Sequence, residues 1–156
     1  MPFSQLYCHL VWGTKHREPL IDESAAALIR QTARTTCNAH RALLHAIGMM
    51  PDHVHLAVSL PPSLAVSNFV RAVKSKSSFE INASLRTTSL TQFSWQAEYG
   101  VLSFGQRSLS SVTAYVNSQA AHHAANALWT TFEIMESQAP NSDETGCRSP
   151  GRAGRL

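Results

Sequence analysis

The chain is 156 residues long, 44% hydrophobic and 15% charged, with a formal net charge of +3 and a pI near 9.0. These values fit one globular domain: too short for two cores, too apolar for a disordered chain, and without the run of about eighteen apolar residues that a membrane span needs. The modest positive charge permits a polyanionic partner without demanding one.

Residues 6–12, LYCHLVW, are rich in strand formers. Leu6, Cys8, Leu10 and Trp12 share one face and Tyr7, His9 and Val11 the other. No basic n-region precedes them, so no signal peptide is expected and the protein is expected to be cytoplasmic. After the polar link KHREP, Asp22 can N-cap a helix whose stripe is Leu28, Ile29, Ala33, Thr36 and Cys37. A second strand, LLHAIGMM, occupies residues 43–50, and Pro51 and Asp52 form a tight turn into a third at 53–60. In that strand Val54, Leu56, Val58 and Leu60 point one way and His53, His55, Ala57 and Ser59 the other.

Pro61, Pro62 and Ser63 open a second helix with Val66, Phe69, Val70 and Val73 at apolar spacing; Arg71, Lys74, Ser75 and Ser78 lie opposite. Polar sequence to about residue 92 leads into the aromatic stretch FSWQAEYGVLSF (93–104), whose end predicts a fourth strand. Ser108 or Ser110 can cap a last helix reaching residue 127 or so. The composition of residues 137–156 predicts a disordered tail after a domain spanning 1–136. Three scattered cysteines (Cys8, Cys37, Cys147) form no CxxC pair, so reduced thiols are expected, with no disulfide framework or zinc knuckle.

This order predicts an α+β fold: an antiparallel sheet of the split βαβ (ferredoxin-like, RRM-like) kind with helices packed on one face, plus a C-terminal helix. The apolar side of the third strand must then face the core, which would put His53 and His55 on an open face within reach of a ligand. Side chains at i and i+2 of a strand lie about 6 to 7 Å apart, close enough for two imidazoles to share one metal ion. On the last helix Tyr115, Gln119, His122 and Asn126 form one stripe, while Val112, Val116, Ala120 and Ala127 form a packing face. A phenol one turn from an amide oxygen suits a helix lying across a metal site. Lys15, Arg17, Arg71, Lys74 and Lys76, with Arg86, offer contacts to backbone phosphates, and Trp95, Tyr99 and Phe104 are candidates for base stacking or for the core.

MPDHVHL with its paired histidines, VKSKSS on the second helix, WQAEYGVLSF before the last helix and YVNSQAAHH upon it occur in one order across residues 7–132. Together they resemble the HUH endonucleases, in particular the single-tyrosine transposases of insertion sequences that move as single-stranded DNA. Ser118 departs from the family's usual asparagine. The resemblance implies that His53, His55 and Gln119 bind Mg²⁺ or Mn²⁺ and that Tyr115 is the nucleophile. It implies a 5′-phosphotyrosine intermediate, hairpin-bearing single-stranded DNA as partner, and a homodimer in which one subunit's tyrosine helix can complete the other's site. The alternatives are a domesticated, non-cleaving DNA-binding protein of the same fold and an RNA-binding module using the same sheet face.

Overall fold

The computed structural model describes residues 3–85 and 91–119. Its elements in chain order are β1 (Tyr7–Gly13), α1 (Glu23–Ala39), β2 (Leu43–Met50), β3 (His53–Ser59), α2 (Val66–Leu85), β4 (Gly100–Phe104) and α3 (Leu109–Asn117). Short 3₁₀ turns at Lys15–Arg17 and Gln106–Ser108 complete them. The four strands form one sheet in the order β2-β3-β1-β4, and every neighbouring pair is antiparallel. The α+β fold expected from the sequence is therefore the one found.

The two-residue period of the central strands sets the core. Leu10, Trp12, Val54, Leu56 and Val58 point to one face, where they bury against Ile29 and Ala33 of α1 and Phe69, Val70 and Val73 of α2. Each such aliphatic side chain contributes roughly 1.5–3 kcal/mol through its removal from water. Helix α1 starts where the sequence predicts: Asp22 Oδ1 accepts a hydrogen bond from Ala25 N at 2.8 Å, a cap typically worth about 1 kcal/mol. Cys8 and Cys37 are buried free thiols, and burial pushes Cys37 up to about 11.

Two features differ from the sequence reading and one refines it. The second face of the sheet is not open: α3 lies on it, packing Val112, Tyr115 and Val116 over Ala46 and Ala57. Small residues on the strands make a shallow seat, so a helix can approach closely and cover the histidines. Secondly, the aromatic stretch ends in β4 as the sequence predicts, over its last five residues. Its first part is pinned by α2: Asn82 brackets Phe93 with two hydrogen bonds (Nδ2 to Phe93 O 2.9 Å, Phe93 N to Oδ1 2.7 Å), and Trp95 Nε1 donates to Ser77 Oγ at 3.0 Å. Thirdly, a 3₁₀ turn precedes α3, and Ser108 stands at its N-cap without a side-chain capping bond. The predicted continuation to 127, with His122 and Asn126, and the tail at 137–156 lie outside the described residues, as does Arg86. Among the described residues, no helix is long and apolar enough to cross a membrane.

Candidate active site

Alternation along β3 sends His53 and His55 to the face opposite the core. The antiparallel register with β1, in which Leu10 faces Leu56, brings His9 diagonally beside His55. His9 Nε2 lies 3.0 Å from His55 Nδ1, and the two rings stack 5.2 Å apart at 14°. The rings of His53 and His55 are 5.0 Å apart at 68°. Tyr115 comes down from α3 and meets two of these imidazoles edge-on, at 6.0 Å from His9 and 6.1 Å from His55. Sequence reasoning placed His9 on this face but assigned it no part. The signal was there: its alternation matches that of His53 and His55, and only the pairing of β1 with β3 was needed to join them.

Gly48 explains how close α3 comes. It pairs with His55 across β2 and β3, and a Cβ built on it would stand 2.0 Å from Val116 O and 3.0 Å from Gln119 Cγ. A glycine here is a matter of space, since no other residue leaves room for the helix backbone. Gln119, two residues past the end of α3, is thereby seated over the strand next to His55. Sequence reasoning took Gly48 as an ordinary strand residue.

On the other flank the turn between β2 and β3 orients His53. Asp52 Oδ1 lies 2.6 Å from His53 Nδ1, and Asp52 Oδ2 is 3.0 Å from Arg17 Nε. Arg17 Nη2 also sits 3.5 Å from the same Nδ1, but a guanidinium only donates, so the short contact to the carboxylate governs. Arg17 reaches back because His16 and Arg17 both adopt left-handed backbone (φ 57° and 56°), at a cost of roughly 1–2 kcal/mol per residue. The turn itself is fastened from outside: Thr14 N donates to Asp52 O and Ile21 N to Pro51 O, each at 2.8 Å.

All five central side chains are buried: His9 1% exposed, His53 2%, His55 3%, Tyr115 4% and Gln119 1%. Burial drives the His9 imidazole down to about 4, so it is neutral at physiological pH. The amide of Gln119 has no hydrogen bond on Oε1 or Nε2 among the described residues. A buried amide without a partner costs about 1–3 kcal/mol, so it is suited to take a ligand. No group of three or more His, Cys, Asp or Glu side chains among the described residues is arranged as a metal cage. What does fit a divalent ion is the mixed set of two imidazoles and one amide oxygen. The nitrogens suit Mn²⁺ better than the oxygen-seeking Mg²⁺.

Of the basic residues picked from sequence, Arg17 flanks this site on the turn after β1, and Lys15 lies on the same turn with its backbone N–H donating to Ser94 O at 2.9 Å. Arg71 and Lys74 line a groove of about 620 Å³ between α2 and the 92–99 segment, with Trp95 and Tyr99 on its other wall. Lys74 turns inward: its Nζ donates to the carbonyls of Gln96 (3.0 Å), Ala97 (3.1 Å) and Glu98 (2.7 Å), and lies 5.8 Å from the Trp12 ring and 5.7 Å from that of Tyr99. Burial pulls its ammonium down to about 8, against the opposing effect of Glu98. Lys76 stands apart from the groove, donating to Thr35 Oγ1 on α1 at 3.2 Å. Trp95 packs edge-on against Trp12 and Phe93, which places it in the core lining.

Comparison with known proteins bears on the family and the fold. The family model described as "Transposase IS200 like" matches residues 2–119. The ISDra2 transposase TnpA of Deinococcus radiodurans is 27% identical over 118 residues, spanning 74% of this chain and 84% of that protein. A crystal structure of a candidate transposase from the same organism superposes with a TM-score of 0.58 at 26% identity, over 76% of this chain and 93% of the other. A REP-associated tyrosine transposase bound to a REP hairpin has a TM-score of 0.60 over 79% of this chain and 72% of its own, at 13% identity, which speaks for the fold alone.

Proposed function

This chain belongs to the IS200-like transposase family, and from that premise we propose that it cuts and rejoins single-stranded DNA through a covalent bond to Tyr115. One observation carries the reading: Tyr115 is held against His55, within one chain, by a helix that Gly48 allows onto the sheet. A tyrosine from α3, the histidine pair of β3 and the buried amide of Gln119 just past α3 lie on one face of the sheet, a grouping suited to phosphodiester exchange.

In the proposed reaction the Tyr115 oxygen attacks a backbone phosphorus and loses its proton as the P–O bond forms. The P–O3′ bond breaks and the departing 3′-oxygen takes up a proton, leaving a 5′-phosphotyrosine and a free 3′-hydroxyl. Rejoining is the reverse with a second 3′-hydroxyl. One phosphodiester is exchanged for another, so no nucleotide cofactor is consumed. A phenol with an ordinary pKa near 10 is a weak nucleophile at neutral pH. His53, His55 and Gln119 would hold Mg²⁺ or Mn²⁺, which when bound supplies the Lewis acidity that draws charge from the phosphate. The ring contacts with His9 and His55 restrict where the phenol can travel, which favours attack from one direction.

We assign Lys15, Arg17, Arg71, Lys74 and Lys76 to the DNA-binding surface. Lys15 and Arg17 act nearest the cut and Arg71 along the groove; Lys74, whose three N–H groups are taken by carbonyls, contributes positive charge and holds the groove wall in place, and Lys76 acts at the α1–α2 boundary. The proposed partner is a hairpin-bearing single strand, in keeping with the REP hairpin held by the structural neighbour, and the proposed assembly is a homodimer.

The test is a gel shift under denaturing conditions. With a 5′- or 3′-labelled hairpin oligonucleotide and Mn²⁺, the wild type should form a covalent adduct carrying the 5′-phosphate side. EDTA, Tyr115→Phe and His53→Ala should each abolish it, by at least a thousandfold for the tyrosine. An adduct that persists in Tyr115→Phe would remove that residue from the role; binding without an adduct under any metal would favour a non-cleaving DNA-binding protein.

A further inference from the structure

The two histidines of β3 are anchored in the same way by different partners. His53 Nδ1 lies 2.6 Å from a carboxylate oxygen of Asp52, and His55 Nδ1 lies 3.0 Å from Nε2 of His9. A carboxylate only accepts, so His53 must carry its proton on Nδ1. An imidazole pair can share one hydrogen in two directions, and the direction decides which nitrogen of His55 keeps a lone pair. Histidines that bind metals commonly donate the other ring N–H to a carboxylate, carbonyl or similar acceptor, which fixes both tautomer and ring orientation.

We infer that His9 and Asp52 are positioning residues: they lock His55 and His53 in the Nδ1-protonated tautomer, which reserves both Nε2 atoms for one cation. The inference rests on the functional reading above and assigns roles to residues outside its ligand set. His9 is the acceptor in this scheme, taking the Nδ1–H of His55 on its Nε2. The two ring planes differ by only 14° and the nitrogens are 3.0 Å apart, which aligns the acceptor with the plane where that hydrogen points, and the complete burial of His9 keeps water from competing. Asp52 does the same for His53 from the turn, with Arg17 balancing the carboxylate charge. Arg17 is half-exposed, so its ion pair adds little to stability and acts through the aim of the carboxylate.

The test reads tautomers directly. Long-range ¹H–¹⁵N correlation spectra of the metal-free, full-length protein should show His53 and His55 both protonated on Nδ1. In His9→Phe, His55 should become a mixture of tautomers while His53 stays unchanged, and Mn²⁺ alone, followed by its EPR signal, should bind about 10- to 100-fold more weakly. His9→Gln, whose amide oxygen can accept the same hydrogen, should restore the Nδ1 tautomer and most of the affinity. Asp52→Ala should show the mirror pattern, with His53 affected and His55 not. His55 protonated on Nε2 in the wild type would overturn the inference, as would an unchanged tautomer in His9→Phe; if His9→Phe does not fold, the wild type and His9→Gln decide. A wild type that forms the DNA adduct but whose His55 ignores His9 sinks this inference alone. A wild type with both tautomers locked that neither binds Mn²⁺ nor forms the adduct sinks the functional reading instead.

Discussion

Toward α1 and α2 the sheet presents Leu10, Trp12, Val54, Leu56 and Val58; toward α3 it presents His9, His53, His55, Ala57 and the bare backbone of Gly48. Both faces are buried, but for different reasons. On the first, large aliphatic side chains interlock with two long helices and provide the stability of the domain. On the second, a nine-residue helix rests on alanines, and the remaining space is taken by imidazoles, a phenol and an amide. The contrast shows that burial on the α3 side serves to order polar groups rather than to remove apolar surface from water. It also implies that α3 opens at lower free energy than the core unfolds, since little apolar area holds it down.

The widest separation between the faces should come from two substitutions. Leu10→Ala should cost about 2–5 kcal/mol by urea denaturation while adduct formation at low temperature survives. Tyr115→Phe should leave stability within about 1 kcal/mol while removing the adduct. If Leu10→Ala abolished chemistry without destabilising the fold, the division of labour would be wrong. Acid should act through the α3 face. His9 is held at about 4 against an unfolded value of 6.5, so the unfolded chain binds the extra proton between these limits. Stability should therefore be complete above pH 6.5 and fall by roughly 3 kcal/mol down to pH 4, with that part of the loss absent in His9→Phe. A stability curve with no His9-dependent slope in that window would show that the imidazole is hydrated. The smallest expected effect is the most local. Gly48→Ala should lift α3, raising amide hydrogen exchange of residues 112–118 about tenfold or more and leaving β1 and β3 protected. Uniform loss of protection across the sheet would mean that the two faces are not separable.

Much of this was legible in the sequence. The alternation in β3 separated Val54, Leu56 and Val58 from His53 and His55, and the spacing of Phe69, Val70 and Val73 gave the core face of α2. Tyr115 and Gln119 on one stripe were enough to place a phenol and an amide together. What escaped the sequence was non-local. His9 joins the site only through strand pairing across 46 residues, and Gly48 matters because of a helix more than sixty positions later. The same blindness made the histidine face look open, since nothing in HVH says what will lie above it. Lys74 illustrates the converse: one polar side chain on a helix reads as solvent-facing until three carbonyls of a distant segment are found around it.

The turn that carries Asp52 is riveted at both of its carbonyls, to Thr14 and to Ile21. The His53 imidazole that Asp52 orients is thus tied to a turn held from two sides. Gln119 lies two residues past the end of α3, buried over Gly48, and its amide has no hydrogen bond among the described residues. If the proposed ligand set holds, the two histidines are fixed by the sheet and its turn, and Gln119 is the member on which a change of ion preference would be sought first.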